Sequence, residues 1–168
     1  MDFCELAYRR YSVRAYKSDP IEDEKLHHIL AAARLAPTAA NRQPFRLYVI
    51  ETARHAETLK RLYHRDWFVQ APLVCGIAAV LPEGWTRRFD GVNYAVVDAA
   101  IAFDHLILQA ADLGIGACWI AAFDPAVARE LLALPDGWQP VAFTPIGYPT
   151  DEWREKIRRP ADELVTYL

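Results

Sequence analysis

Apolar residues recur along this chain with two periods, and the switches between them predict the order of elements. Asp2 with Glu5 three residues later reads as a capping box, and Phe3, Leu6 and Ala7 lay an apolar face on a first helix running to about Arg10. Residues 12–16, β-branched and aromatic, read as extended chain that stops before the turn-forming Ser18, Asp19 and Pro20. Pro20 suits a first helical position, and Leu26, Ile29, Leu30 and Ala33 at helical spacing predict a second helix down to Pro37. Residues 37–44 lack apolar periodicity and read as a loop.

Beyond that loop the pattern predicts a strand over 45–50, a helix over 53–63 and a fully buried strand over 73–80. Residues 81–93 combine Pro82, Gly84 and Gly91 with Trp85 and Phe89, the make-up of a mobile, substrate-facing flap. Residues 94–113 are apolar nearly all round, as in a helix enclosed by protein, and Gly114 stops it. A buried strand over 115–122, a helix from the cap Asp124 to Leu134 and a last strand over 141–146 follow. The tail from Pro149 carries Trp153, Ile157, Leu164, Val165 and Tyr167, apolar groups that need a surface to lie on, such as a partner subunit. No repeat, linker or low-complexity stretch divides residues 1–168, so a single domain is expected.

Composition narrows the function. With 168 residues, 53% of them hydrophobic, the chain can bury roughly 70% of its unfolded surface. Cys4, Cys75 and Cys118 are odd in number, far apart and without histidine at ligand spacing, which argues against a disulfide framework or a metal site and suits a reducing, cytoplasmic compartment. The net charge of −3 gives no field favouring nucleic acid, and the longest uncharged apolar run, residues 113–123, falls short of the ~20 needed to span a membrane. Neither a P-loop nor G-x-S-x-G nor G-x-G-x-x-G after a strand is present.

Three stretches carry candidate chemistry. Arg10, Ser12 and Arg14 are spaced by two where a helix gives way to extended chain, so two guanidinium forks and a hydroxyl share one side. That set suits a phosphate dianion, although R-x-S-x-R alone more often describes an ordinary solvated basic turn. Lys156 and Arg158, again spaced by two, are either additional phosphate ligands or surface charges. Asn41 and Gln43 offer carboxamides that match a heterocycle edge or else bond turn backbone. The small residues from Gly114 to Ala122 either let a ligand approach backbone N–H groups or pack closely as core. His27, His28, His64 and His105 read as structural or solvated, and Cys118 as inert core.

Taken in order, these motifs resemble the nitroreductase superfamily over almost the whole chain. Arg10-Tyr11-Ser12-Val13-Arg14-Ala15-Tyr16 is similar to its opening R-x-S-x-R-x-[YF], and Pro37-Thr38-Ala39-Ala40-Asn41-Arg42-Gln43-Pro44-Phe45 to its P-[ST]-x-x-N-x-Q-P-[WF] loop. The central helix with its glycine-rich strand, Gly147-Tyr148-Pro149, and Lys156-Ile157-Arg158-Arg159-Pro160 complete the likeness. The resemblance implies an α+β, three-layer fold with a mixed central sheet flanked by helices and a C-terminal tail exchanged in a homodimer. It implies FMN as cofactor, NADH or NADPH as electron donor, and ping-pong hydride transfer to a small electrophilic acceptor such as a nitroaromatic, quinone or enone.

Carried over by residue, the resemblance implies that Arg10, Tyr11, Ser12, Arg14, Lys156 and Arg158 surround the FMN phosphate and ribityl chain. Asn41 and Gln43 would lie at the flavin, and Pro37, Thr38 and Ala39 would reach it from the other subunit. Ala121 and Ala122 would present backbone amides to the flavin, with Ile120 beside them among the cofactor-binding residues, and His64 stands where many relatives place Asn beside it. Trp67, Trp85 and Phe89 are candidate walls for the acceptor. With no side chain obligatory for catalysis, a flavin-binding or sequestering protein is the alternative expectation.

Overall fold

The computed structural model describes residues 2–168. The Asp2 carboxylate accepts the Glu5 N–H at 2.8 Å and starts α1 (Phe3–Arg9). The second helix, α2 (Asp23–Arg34), begins three residues later than Pro20 suggests. The physical reason is local: Ile21 is buried before the N-cap Glu22 and packs in one cluster with Leu26, a hydrophobic staple, while Asp23 and Glu24 put negative charge on the first turn. There follow β1 (Phe45–Glu51), α3 (Thr52–Leu62), β2 (Leu73–Val80), α4 (Ala95–Asp112), β3 (Gly116–Ala117), α5 (Pro125–Leu131), β4 (Trp138–Gly147) and α6 (Ala161–Leu164).

The sheet runs β1-β2-β4-β3, every named pair antiparallel. A single parallel bridge between Ser12 and Ala117, outside the named strands, lays the amino-terminal chain beside β3 of this antiparallel sheet. β2 is buried on both faces, and its alternation sorts the core into two layers. Cys75, Ile77 and Ala79 pack with α2 and α4, whereas Val74 and Ala78 pack with α3 and α5. The result is helices, sheet, helices. In α4, the fully buried Ala95, Ala99, Ala102 and Ala110 admit close neighbours, while Phe103 and Leu106 fill the space between; truncating such a phenylalanine costs ~3–5 kcal/mol.

Two expected strands change length. The one expected over 115–122 ladders only at Gly116 and Ala117, because the Cys118 N–H donates to Thr144 Oγ1 at 2.9 Å and Trp119 turns outward onto Phe103. Pairing resumes only at Ile120, which exchanges two backbone bonds with Phe143. The last strand begins at Trp138, not residue 141, since Gln139 and Pro140 still face Ala79 and Ala78; Pro140 is tolerated where the register shifts between Ile77 and Ala78. Gly114, at φ +73°, ends α4 as its pattern suggests.

The flap is fastened. Thr86 bridges Asn93, whose carboxamide donates to the Leu81 carbonyl and accepts the Ala95 N–H at the start of α4. Trp85 packs on Tyr94, and Phe89, expected as a wall residue, stands 99% exposed at the tip. The tail first runs back over its own chain: Thr150 N–H donates to Ala15, and Trp153 meets Tyr8 with ring centroids 5.3 Å apart. From Ile157 onward its large apolar side chains are exposed, Tyr167 at 94% among them.

Candidate functional site

Arg10 closes α1 with extended backbone, and residues 12–17 then lie between β3 and the start of the tail. Val13, 2% exposed, points into the core, where it lies so close to Gly116 that a Cβ there would come within 2.8 Å of its Cγ2. Gly116 therefore serves packing, not ligand approach. With Val13 inward, strand alternation turns Ser12 and Arg14 the other way. Arg10 and Ser12 are half-buried and Arg14 exposed, and neither guanidinium has a hydrogen-bond or ion-pair partner among the described residues. Burial raises the pKa of the nearby Cys118 thiol, against the lowering charges of Arg14 and Arg10 and a hydrogen bond with Ser12. Arg14 and Ser12 border one cleft with Asp151, whereas Arg10 borders another.

Lys156 and Arg158 join Arg10 along an open cleft beside Tyr8, Asp104 and Leu108. The Lys156 ammonium donates to the Ala7 carbonyl in the last turn of α1, where the helix dipole favours a cation. Burial, then the charges of Arg10 and Arg158, holds its pKa below the ordinary lysine range. The Arg158 guanidinium is exposed and donates to the neighbouring Ile157 carbonyl.

The second group is a strained loop. Ala40, Asn41 and Gln43 all adopt positive φ, 52°, 54° and 51°, in a turn containing no glycine. Each such residue costs on the order of 1–3 kcal/mol, and such strain collects where a loop is shaped for use. Thr38 Oγ1 accepts the Gln43 N–H, the Gln43 carboxamide donates to Asn41, and Arg42 donates to Gly84 of the flap. Pro37, Asn41 and Gln43 are exposed, Thr38 and Ala39 half-buried. Asp98, in the first turn of α4 and 2% exposed, ties this loop to the core by accepting the Ala39 N–H at 2.9 Å; its other oxygen is buried with no partner among the described residues.

Between β3 and α5, Ile120 is held in the sheet while Ala121 and Ala122 are exposed, and their N–H groups make no protein hydrogen bond among the described residues. His64 is exposed after α3 and makes no hydrogen bond or ion pair to the other candidates among the described residues. Trp67 is half-buried against Tyr63, on the same side of the sheet as Phe68.

Helix α4 separates the two groups. The amide loop is fixed at Asp98, and the basic cleft is reached at Leu108, ~15 Å further at 1.5 Å per residue. Two residues that sequence reasoning passed over belong to the groups. Asp98 carried a signal, an acid inside an apolar run. Asp151, whose carboxylate accepts the Arg14 N–H at 2.8 Å and the Tyr11 hydroxyl at 3.2 Å, carried none.

A model described as the nitroreductase family matches residues 7–72 and 52–148, two overlapping segments that together span most of the chain. A crystal structure of a nitroreductase family protein from Clostridium difficile 630 superposes with a TM-score of 0.92 at 37% identity, covering 99% of this chain and 98% of that one. The chain is 32% identical to an Archaeoglobus fulgidus protein whose name offers NADH dehydrogenase or NAD(P)H nitroreductase, over 90% of this chain and 88% of the relative. It is 29% identical to a Bacillus subtilis protein named FMN reductase [NAD(P)H], over 94% of this chain and 71% of the relative.

Proposed function

The chain belongs to the nitroreductase family, and on that premise we propose that it is an FMN-dependent NAD(P)H oxidoreductase acting as a homodimer with shared sites. One observation carries the reading: Arg10 and Arg14, whose guanidiniums have no hydrogen-bond or ion-pair partner among the described residues, stand two positions on either side of Ser12, a spacing that suits a phosphate. Lys156 and Arg158 add charge beside Arg10. The residues present fit the cofactor. A strained loop presents carboxamides, and two amides at Ala121 and Ala122 are free to donate to a ring nitrogen.

In this reading Arg10, Ser12 and Arg14 hold the phosphate, with Tyr11 shaping the stretch between them. Asn41 and Gln43 orient the ring by its polar edge, and the Ala121 and Ala122 N–H groups support negative charge at the ring. Bound FMN supplies the hydride chemistry, which needs no acid or base from the chain. The nicotinamide donor and the acceptor, a nitroaromatic, quinone or enone, use one apolar face in turn, walled by Trp67 and Trp85. Pro37, Thr38 and Ala39 lie ~15 Å along α4 from the basic cleft, which suits a two-fold pair in which one subunit's loop completes the other's site. The exposed apolar side chains from Ile157 to Leu168 suit a tail laid on that partner. No helix among the described residues is long and apolar enough to cross a membrane, and the three free cysteines suit the cytoplasm.

Mixing the purified protein with NADH or NADPH under argon tests the reading. Rapid loss of the flavin absorbance, reversed by adding a quinone, is expected. A flavin-loaded protein that keeps its colour is a sequestering protein, and a protein that cannot bind FMN refutes both.

A further inference from the structure

Asp151 is placed where no motif directs attention. Its two carboxylate oxygens accept from opposite ends of a four-residue stretch, Oδ2 from the Arg14 N–H at 2.8 Å and Oδ1 from the Tyr11 hydroxyl at 3.2 Å, while its own carbonyl accepts the same hydroxyl at 2.9 Å. The contacts link residues 140 and 137 positions apart in sequence, so they join the tail to the amino-terminal chain. Tyr11 is suited to the contact. Burial, followed by the charge of Asp151 and their hydrogen bond, pushes its phenol up to about 12, which keeps it a donor.

The stretch bridged in this way contains Ser12 and ends at Arg14. Val13 is locked against Gly116 on the inner side and the Ser12–Ala117 bridge holds the main chain there; the Asp151 carboxylate adds the tie that holds residues 11 and 14 at their extended separation. The carboxylate does this while using the main-chain N–H of Arg14, so the guanidinium stays free. Tyr11, Ser12, Arg14 and Asp151 line one cleft, which Glu152 and Arg154 of the tail also border. We propose that Asp151 is the positioning residue of the phosphate site, a clamp through which the docked tail sets the spacing of Ser12 and Arg14. The proposal rests on the assignment of that site to the FMN phosphate.

A carboxylate near a phosphate carries an electrostatic cost, so its charge and its shape have opposite effects. Asp151→Ala removes the acceptors and frees the stretch. Asp151→Asn removes the charge but keeps an oxygen for the Arg14 N–H and an amide that can donate to the Tyr11 hydroxyl.

The test is titration of flavin-stripped wild type, Asp151→Ala, Asp151→Asn and Tyr11→Phe with FMN and with riboflavin, which lacks the phosphate. Wild type should prefer FMN. In Asp151→Ala that preference should fall at least tenfold, through FMN alone, with riboflavin affinity unchanged. Asp151→Asn should keep the preference at or above the wild-type value, and Tyr11→Phe should lower it by less than the alanine variant. Equal wild-type affinities for the two flavins would refute the phosphate site itself. A wild-type preference that survives in Asp151→Ala, or a variant that loses both flavins equally, would refute the clamp alone. If Asp151→Ala does not fold, Tyr11→Phe decides: an unchanged preference there overturns the proposal.

Discussion

Replacing Asp98 by alanine separates the anchoring of a loop from the stability of the whole fold. In the native chain Asp98 Oδ1 accepts the Ala39 N–H at 2.9 Å, a charge-assisted bond of ~1.5–3 kcal/mol, and its place in the first turn of α4 lets the helix dipole favour the charge. Its Oδ2 is buried without a partner, a liability of ~1–3 kcal/mol. Alanine removes both. The two nearly offset, so the global loss should be only ~1 kcal/mol, about 2–4 °C in Tm for a chain of this size. The loop, however, loses its tie to the core while Ala40, Asn41 and Gln43 remain strained, each by ~1–3 kcal/mol. A bond of ~2 kcal/mol corresponds to roughly a 30-fold change in local opening, so the Ala39 amide should exchange its hydrogen about 30 times faster. Asp98→Asn keeps an acceptor and should keep most of the protection. Hydrogen exchange by NMR beside a thermal melt checks both quantities. Unchanged Ala39 exchange, or a Tm loss well beyond 6 °C, would refute the offset.

Arg10→Ala should weaken FMN binding about 30-fold, equivalent to ~2 kcal/mol, by removing a charge-assisted bond to the phosphate; an unchanged titration curve would return the basic stretch to the status of a solvated turn. Gly116→Ala brings a Cβ within 2.8–2.9 Å of the Val13 methyls and should cost ~1–3 kcal/mol by urea unfolding. Combining it with Val13→Ala should restore part of that loss, and a purely additive double variant would contradict the steric account. At alkaline pH the sign follows from groups whose folded pKa lies above the unfolded one: burial and Asp151 push Tyr11, and burial alone pushes Cys75, up to about 12, and burial raises Tyr16 as well. Their stabilisation is complete below the unfolded values, near 8.5 for Cys and 10 for Tyr, and is lost as pH rises toward 12, so the urea midpoint should fall across that window. In native protein a maleimide should label the exposed Cys4 quickly and the buried Cys75 and Cys118 only on unfolding; three equally fast thiols would contradict the burial.

Elements whose pattern is local were legible in the sequence. β2 reads directly from its uninterrupted apolar run, and α4 from apolar residues on every face closed by Gly114. The limits lay where tertiary partners decide. Nothing in residues 115–122 announces that Thr144 takes the Cys118 N–H and breaks the ladder, and the Ile21–Leu26 staple outweighs Pro20 as the start of α2. The same division holds in the site. Arg10, Ser12 and Arg14 show their alternation in sequence, and Asn41 and Gln43 stand between prolines. The strain at Ala40, Asn41 and Gln43 is invisible in a loop without glycine, and Asp151 acquires meaning only from the fold that brings it to Arg14.

The placement of β2 between β1 and β4 has a consequence for synthesis. β1, α3 and β2 are neighbours in sequence and can form a hairpin-like unit early, but the other edge of β2 pairs with β4, which ends on the order of 70 residues after Val80. At ~5–20 residues per second the ribosome needs several seconds, on the order of 3–14, to supply it. For that interval the run Val74-Cys75-Gly76-Ile77-Ala78-Ala79-Val80, without a charge or a proline, has an open edge of the kind that recruits foreign strands. Helix α4 is translated within the interval and can cover one face, not the edge. Recoding the stretch between α4 and β4 for slower translation should therefore lower soluble yield without changing the finished protein, and co-expressed holdase chaperones should restore it.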